Sequence, residues 1–575
     1  MEKGRSKSKR ILALLLAAVF ILTILSACMG ETPTSSSDPP AESQAADSSS
    51  GSSGDGAGTD TPADADPYAP MPERITMTIG RNQGSNDTYE AGDNSDNNYV
   101  SRYMGDALNI DYQSAFTVSG TGDAYKQKVS LVIASGDLPD TMTVDETQYR
   151  QLASAGVIED MTDVLNAYMS DSLKELYDTT GGYALQSATI DGRIMGIPNV
   201  SAGADAIPLL YVRDDWMAQA GLGEPKTLDD IVNIVKTFKE LGLGGDGASG
   251  LVCQEEIVTV GNSMYGMDAL FALHHSYPEL WITDDSGNLM YGSIAPETRD
   301  ALETIAGLVA DGVIDKQFAV RDQDQCNELV TGGKSGIFFG PWWNLNWPLL
   351  DMSKSDPNIS WSIYAAPLDS DGKYNTHLMA PTINYQVVRK GYEWPEAVVK
   401  TCNMQVDVDA DQGLSIKPRT EATFSWQMMP FNLLLTGYDT RETNSLLMRD
   451  YVDGVLPVEE MPASWQNQYD SIKLVEGEGL QAAFDANNMS PWAFWEGCYA
   501  LGTSLDYTNR VMGTTYSKAS PTMEMKWATL EKLEDETFLQ IITGEKPIEA
   551  FDEFVKNWKS LGGDDITAEL AANIG

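Results

Sequence analysis

The chain has 575 residues, with 84 acidic against 38 basic side chains and a formal net charge of −46. That balance excludes a nucleic-acid partner, whose phosphates it would repel, and direct docking on anionic lipid. Five cysteines without a C-x-x-C pair, and three histidines (His274, His275, His377) without H-E-x-x-H, exclude zinc-ribbon, thioredoxin-type, metal-hydrolase and Ser-His-Asp chemistry.

The first ten residues carry Lys3, Arg5, Lys7, Lys9 and Arg10, and "ILALLLAAVFILTIL" follows. A basic start, a short apolar run and small residues at its end predict a secretory signal over 1–27. The run falls short of the about 20 apolar residues of a comfortable membrane span. Leu25-Ser26-Ala27-Cys28 resembles the lipobox of bacterial lipoproteins, which implies cleavage before Cys28, acylation of that residue and a membrane tether outside the cell. Several acyl chains on one residue anchor far more firmly than one. The Ser, Gly, Asp, Pro and Ala of 28–70 cannot bury enough apolar surface to offset lost chain entropy, so this stretch reads as a spacer. Order is expected to begin between Tyr68 and Ile75. The remaining 71–575 exceed what one hydrophobic core serves, which predicts two lobes.

"ERITMTIG" alternates as a strand should, with Ile75, Met77 and Ile79 on one face. A helix is predicted from Tyr125 to about Ala134, then a short strand ending near Asp145. "TLDDIVNIVKTFKELG" is the best-specified helix: Thr227 caps it, Asp230 stands three residues on, and Gly242 lies where the C-terminal cap belongs. Helices interleaved with short strands predict an α/β chain.

Three catalytic motifs fail on their own terms. "GLGGDG" at 242–247 follows a helix instead of preceding one, so it ends a helix and cradles no phosphate. "GGKSG" has Glu328 where a P-loop needs glycine, and "GNSMY" around Ser263 lacks the second glycine of a nucleophile elbow. "DDSGN" at 284–288 reads as a turn between strands and lacks the pattern of a calcium loop. No metal and no cofactor is expected. Beyond Cys28, Cys253, Cys326, Cys402 and Cys498 leave both disulfides and buried thiols open.

Aromatic residues point to a ligand. "GPWWNLNWP" gathers Trp342, Trp343 and Trp347, "MSPWAFWEGCY" adds Trp492 and Trp495, and Trp426 and Tyr265 sit in other polar surroundings. Flat rings suit the apolar faces of sugars. Trp558 on the last helix reads as core. In a strand Trp342 and Trp343 cannot both point one way, so one of them is expected to face a cleft.

"ASGDLPD" (134–140), "DGRIMGIP" (191–198), "LLYVRDDWMAQAGLGEPKTLDDIVNIVKTFK", "GGKSGIFFGPWW" and "FLQIITGEKPIEAFDEFVKNWKSLGG" together resemble bacterial extracellular solute-binding proteins of family 1. The branch they resemble is that of LipO-type and alginate-oligosaccharide-binding lipoproteins of ABC importers. The resemblance implies a two-lobed periplasmic-binding-protein-like type II α/β fold with a hinge and an interlobe cleft. The first lobe would hold about 71–198 and part of the chain from about 375, and the second about 200–370, with C-terminal helices across both. It further implies carbohydrate capture by hinge closure, delivery to a permease in the membrane, and no chemical transformation. A monomer is expected. Arg213, Asp215 and Trp216 of "RDDW" fall near the implied hinge, where Arg213 either faces ligand or forms a structural ion pair. Asn82 and Asp145 follow first-lobe strands, and ligands sit at the carboxyl ends of strands. Where alginate-binding relatives carry a calcium loop, "ELGLGGDGASGLVCQEE" has no spaced oxygen ligands. The acidity favours a neutral sugar over a polyanionic one. A peptide or other small solute on the same scaffold, and a surface glycosidase, are the alternatives.

Overall fold

The computed structural model describes residues 65–83, 89, 92–119, 122–259, 264–283, 286–410, 428–512 and 520–572. Cys28, most of the spacer and Trp426 lie outside them. In chain order, β1 (Ile75–Gln83), α1 (Tyr99–Leu108), β2 (Ile110–Ser119), α2 (Gly122–Ser135), β3 (Thr141–Asp145) and α3 (Glu146–Ser154) come first. Next are β4 (Ile197–Pro198), β5 (Leu209–Arg213), α4 (Asp214–Ala220), α5 (Leu228–Glu240), β6 (Trp281–Thr283) and β7 (Leu289–Tyr291). After α6 (Gln323–Thr331) come β8 (Ile337–Gly340), β9 (Trp361–Tyr364), β10 (Tyr374–Leu378), β11 (Asn384–Val388) and α7 (Pro395–Ala410). The C-terminal part contributes α8 (Thr440–Val452), α9 (Met489–Ser504), β12 (Thr508–Met512), α10 (Pro521–Ile542) and α11 (Ala550–Trp558).

Two sheets organise the lobes. The first runs β2-β1-β3-β11-β4, with β1 parallel to both β2 and β3, and β11 antiparallel to β3 and β4. Ile75, Met77 and Ile79 bury on one of its faces, against α1 and α7. Met142, Val144 and Tyr385 bury on the other, with Val129 and Val132 of α2. The second sheet is β8-β5-β9, antiparallel throughout. Its Leu210, Val212, Phe338 and Trp361 share one core with Ile231, Val235 and Phe238 of α5.

The cap of α5 is the one its sequence specifies. Thr227 Oγ1 accepts from Asp230 N, the Asp230 carboxylate accepts from Thr227 N, and Gly242 takes φ +66° just past the helix end. The rejected glycine motifs fasten loops: Lys334 Nζ of "GGKSG" donates to the carbonyls of Gly244 and Asp246 in "GLGGDG". Cys253, Cys326, Cys402 and Cys498 are buried free thiols.

Trp495 and Leu501 of α9, Phe538 of α10, and Phe554 and Trp558 of α11 all join the second sheet's core. Helix α10 also carries Glu534, 3% exposed, which accepts from Tyr291 Oη at 2.9 Å. Burial pushes its carboxyl up to about 8 and raises Glu279 as well, since the two repel when both ionise. A carboxyl raised on folding contributes stability that is complete below its unfolded value near 4.5 and is lost as pH rises through about 8. Melting curves between pH 5 and 9 should therefore show alkaline destabilisation, on the order of 3 kcal/mol from this group. Glu534→Gln, which keeps an acceptor for Tyr291, should flatten that slope, and an unchanged slope would refute the assignment.

Candidate functional site

Three segments cross between the lobes, and backbone hydrogen bonds stitch them side by side. The first, 199–203, leaves β4. Its Asn199 N donates to Asn384 O, Ser201 N to Pro381 O and Val200 N to Leu434 O. The second, 379–384, returns to β11, and the third, 434–438, leads into α8. Gly203 joins all three, donating to Tyr438 O and accepting from Met379 N. A Cβ there would lie 2.7 Å from the far end of the Tyr438 ring, which would have to shift to admit any other residue. Asn199 Oδ1 accepts from both Ile383 N and Asn384 N, which fixes the turn into β11.

Beside this hinge, on the second lobe, stands the tryptophan turn. Strand β8 ends at Gly340, where a Cβ would strike Asn344 Oδ1, and Pro341 starts a 3-10 turn over Trp342–Leu345. The two neighbouring tryptophans are therefore not in a strand. A 3-10 turn of three residues separates consecutive side chains by about 120°, so they diverge for a different reason. Trp342 is 6% exposed; its Nε1 donates to Asp205 at 2.8 Å, Arg441 covers one face at 3.8 Å, and Phe494 meets it edge-on. Trp343 is half-buried and pairs with half-buried Trp347, ring centroids 6.2 Å apart and 33° inclined. Asn344, fully buried between them in sequence, donates to Trp347 O and so sets the spacing of the two rings.

The other predicted residues separate by burial. Trp495 and Tyr265 are 0% exposed: Trp495 packs edge-on against Trp465 and Tyr469, and Tyr265 against Phe338, its Oη donating to Asn327. Trp492 is also buried, in α9. Arg213 takes the structural role, its guanidinium bidentate on Asp215 and flanked by the rings of Trp216 and Trp361. Asp145 caps α3 by accepting from Gln148 N, and it lies 3.0 Å from Lys126 Nζ. Asn82 is the last residue but one of β1, its N–H donating to Asn432 Oδ1, while its own Oδ1 is buried with no hydrogen-bond partner among the described residues.

The sequence gives no warning of Asp205, Tyr438 or Arg441, whose weight comes from contacts across more than a hundred residues. Glu146 was equally hidden. It sits at the carboxyl end of β3 against Arg150 at 2.8 Å, and burial raises its carboxyl to about 8.

The family model described as bacterial extracellular solute-binding protein matches residues 102–401, just over half of the 575. Lipoprotein LipO of Bacillus subtilis (strain 168) is 26% identical over 220 residues, 37% of this chain and 41% of that protein. The fructooligosaccharide ABC transporter substrate-binding protein FusA of Streptococcus pneumoniae serotype 4 is 26% identical over 226 residues, 37% of this chain and 42% of that protein. The chain thus spans about two fifths of the length of these curated relatives. Among solved structures, alginate-binding protein AlgQ2 without calcium ion superposes with a TM-score of 0.59 at 15% identity, covering 88% of this chain and 99% of that one. Its two-lobed fold is the fold of this chain.

Proposed function

We propose that this chain, which belongs to the bacterial extracellular solute-binding protein family, captures a carbohydrate between its lobes by hinge closure and presents it to an ABC permease. Acylated Cys28 would hold it on the outer face of the cell membrane, with 28–70 as the spacer. The first lobe takes about 71–198 and part of the chain from about 375, and the second about 200–370, as strand membership of the two sheets supports. No reaction is assigned to it.

The observation that carries the reading is the Trp343–Trp347 pair. Two partly buried rings, inclined 33° in the turn that follows Trp342, give a surface on which a sugar face can lie when the opposite lobe approaches. Asn82 and Asp145, with Glu146, are proposed as hydrogen-bonding groups on the first lobe's carboxyl edge, and Trp426 remains a candidate from the sequence. Trp342, Trp492, Trp495, Tyr265 and Arg213 with Asp215 are assigned to packing. Names of relatives support the ligand class: FusA is a fructooligosaccharide-binding subunit and AlgQ2 binds alginate. A thermal-shift panel of fructooligosaccharides, neutral glucans, oligogalacturonides and alginate oligomers tests it. At least one saccharide should raise the melting temperature in proportion to the logarithm of its concentration. Stabilisation by peptides alone would redirect the assignment.

A further inference from the structure

The second-lobe ends of the first and third crossing segments meet at one carboxylate. Asp205 lies in the 3-10 turn Gly203–Ala206 that follows the first crossing segment. Its Oδ1 accepts from Trp342 Nε1 at 2.8 Å and from Arg441 Nε at 3.0 Å. Arg441 is the second residue of α8, where the third crossing segment ends. Its guanidinium lies 3.8 Å over the Trp342 ring, and its Nη1 reaches Cys498 Sγ of α9 at 3.6 Å. Both charged side chains are largely withdrawn from water, at 15% and 19% exposure for Arg441 and Asp205. Charge-assisted hydrogen bonds are strong in such surroundings, and a buried charge left without its partner is costly.

The geometry points to Asp205 as a positioning residue: it locks the second-lobe ends of the first and third crossing segments and the tryptophan turn into one rigid body, so that lobe movement is confined to 199–202, 379–384 and 434–438. Hinge motions are absorbed by a few residues between rigid bodies, and a body holds only where its parts are tied together. Trp343 follows Trp342 directly, so the Asp205 lock also fixes where the Trp343–Trp347 surface arrives when the lobes close. Without it, α8 and the turn at 203–206 would shift independently, and the lobes would sample a wider spread of separations. The consequence for binding rests on the closure reading above, whereas the lock itself can be measured without ligand.

The test uses the full chain with Cys28→Ser, spin-labelled at Leu131→Cys on the first lobe and Val320→Cys on the second, both well exposed, while the four described native thiols are buried. Pulsed dipolar spectroscopy of the ligand-free protein should give a distance distribution at least twice as wide in Asp205→Ala as in its parent. Asp205→Asn, which retains an acceptor for Trp342 Nε1, should be intermediate; if the alanine variant does not fold, the asparagine variant carries the test. A variant with a lowered melting temperature and the parent's distribution would show that Asp205 only stabilises, and would overturn the proposal. If the distribution widens but no saccharide shortens the parent's distance, the lock stands and closure on sugar falls.

Discussion

Trp343→Ala is expected to weaken saccharide binding by about 1–3 kcal/mol, roughly five- to more than a hundredfold, while lowering the melting temperature less than Trp342→Ala does. The ring is half-buried beside Trp347 at the edge of the core, so truncation disturbs packing less than at a fully enclosed position. Trp342→Ala should do the reverse. It deletes a side chain that Arg441, Phe494 and Asp205 enclose, at a cost of about 3–5 kcal/mol of stability. Isothermal titration beside thermal melts separates the two effects. Equal loss of affinity in both variants at equal stability would show that the turn does not divide its roles this way.

Gly497→Ala should cost about 2–4 kcal/mol, far more than a single methyl group on a helix ordinarily does. The new Cβ would lie 2.0 Å from the Trp342 carbonyl oxygen and 3.0 Å from its carbon. Backbone cannot swing aside as a side chain can, so α9 must withdraw from the tryptophan turn. The displaced turn carries Trp343 with it, so affinity should fall along with stability. Gly477→Ala is the control: it lies in the helix Gln466–Glu478, nothing lies within 4 Å of its Cβ position, and it should be neutral or stabilising by up to about 1 kcal/mol. Denaturant unfolding of both variants decides the point, and similar midpoints would contradict the close approach.

What the sequence made legible was local or periodic. Ile75, Met77 and Ile79 alternate in the strand they form, and Thr227 with Asp230 caps the helix they announce. The two-lobed fold was legible through ordered family stretches. The site was legible only as aromatic density, because burial depends on partners that spacing does not reveal. Trp495 and Trp343 are the same residue in similar sequence contexts. One is fully enclosed, with Trp465 and Tyr469 from other elements against it, and the other is only partly buried beside Trp347. The strand assumed for Trp342 fails because Gly340 and Pro341 end β8 first. Asp205 is one acidic residue among 84 in the sequence, and only the fold brings Arg441 and Trp342 to it.

Small-angle X-ray scattering of the protein, alone and saturated with whichever saccharide stabilises it, tests most directly whether this chain captures sugar by closing. The radius of gyration should fall on saturation, as two lobes swing together about 199–203, 379–384 and 434–438, and mass spectrometry should recover the saccharide intact. A saturating saccharide that leaves the scattering curve unchanged, or that returns cleaved, would contradict it.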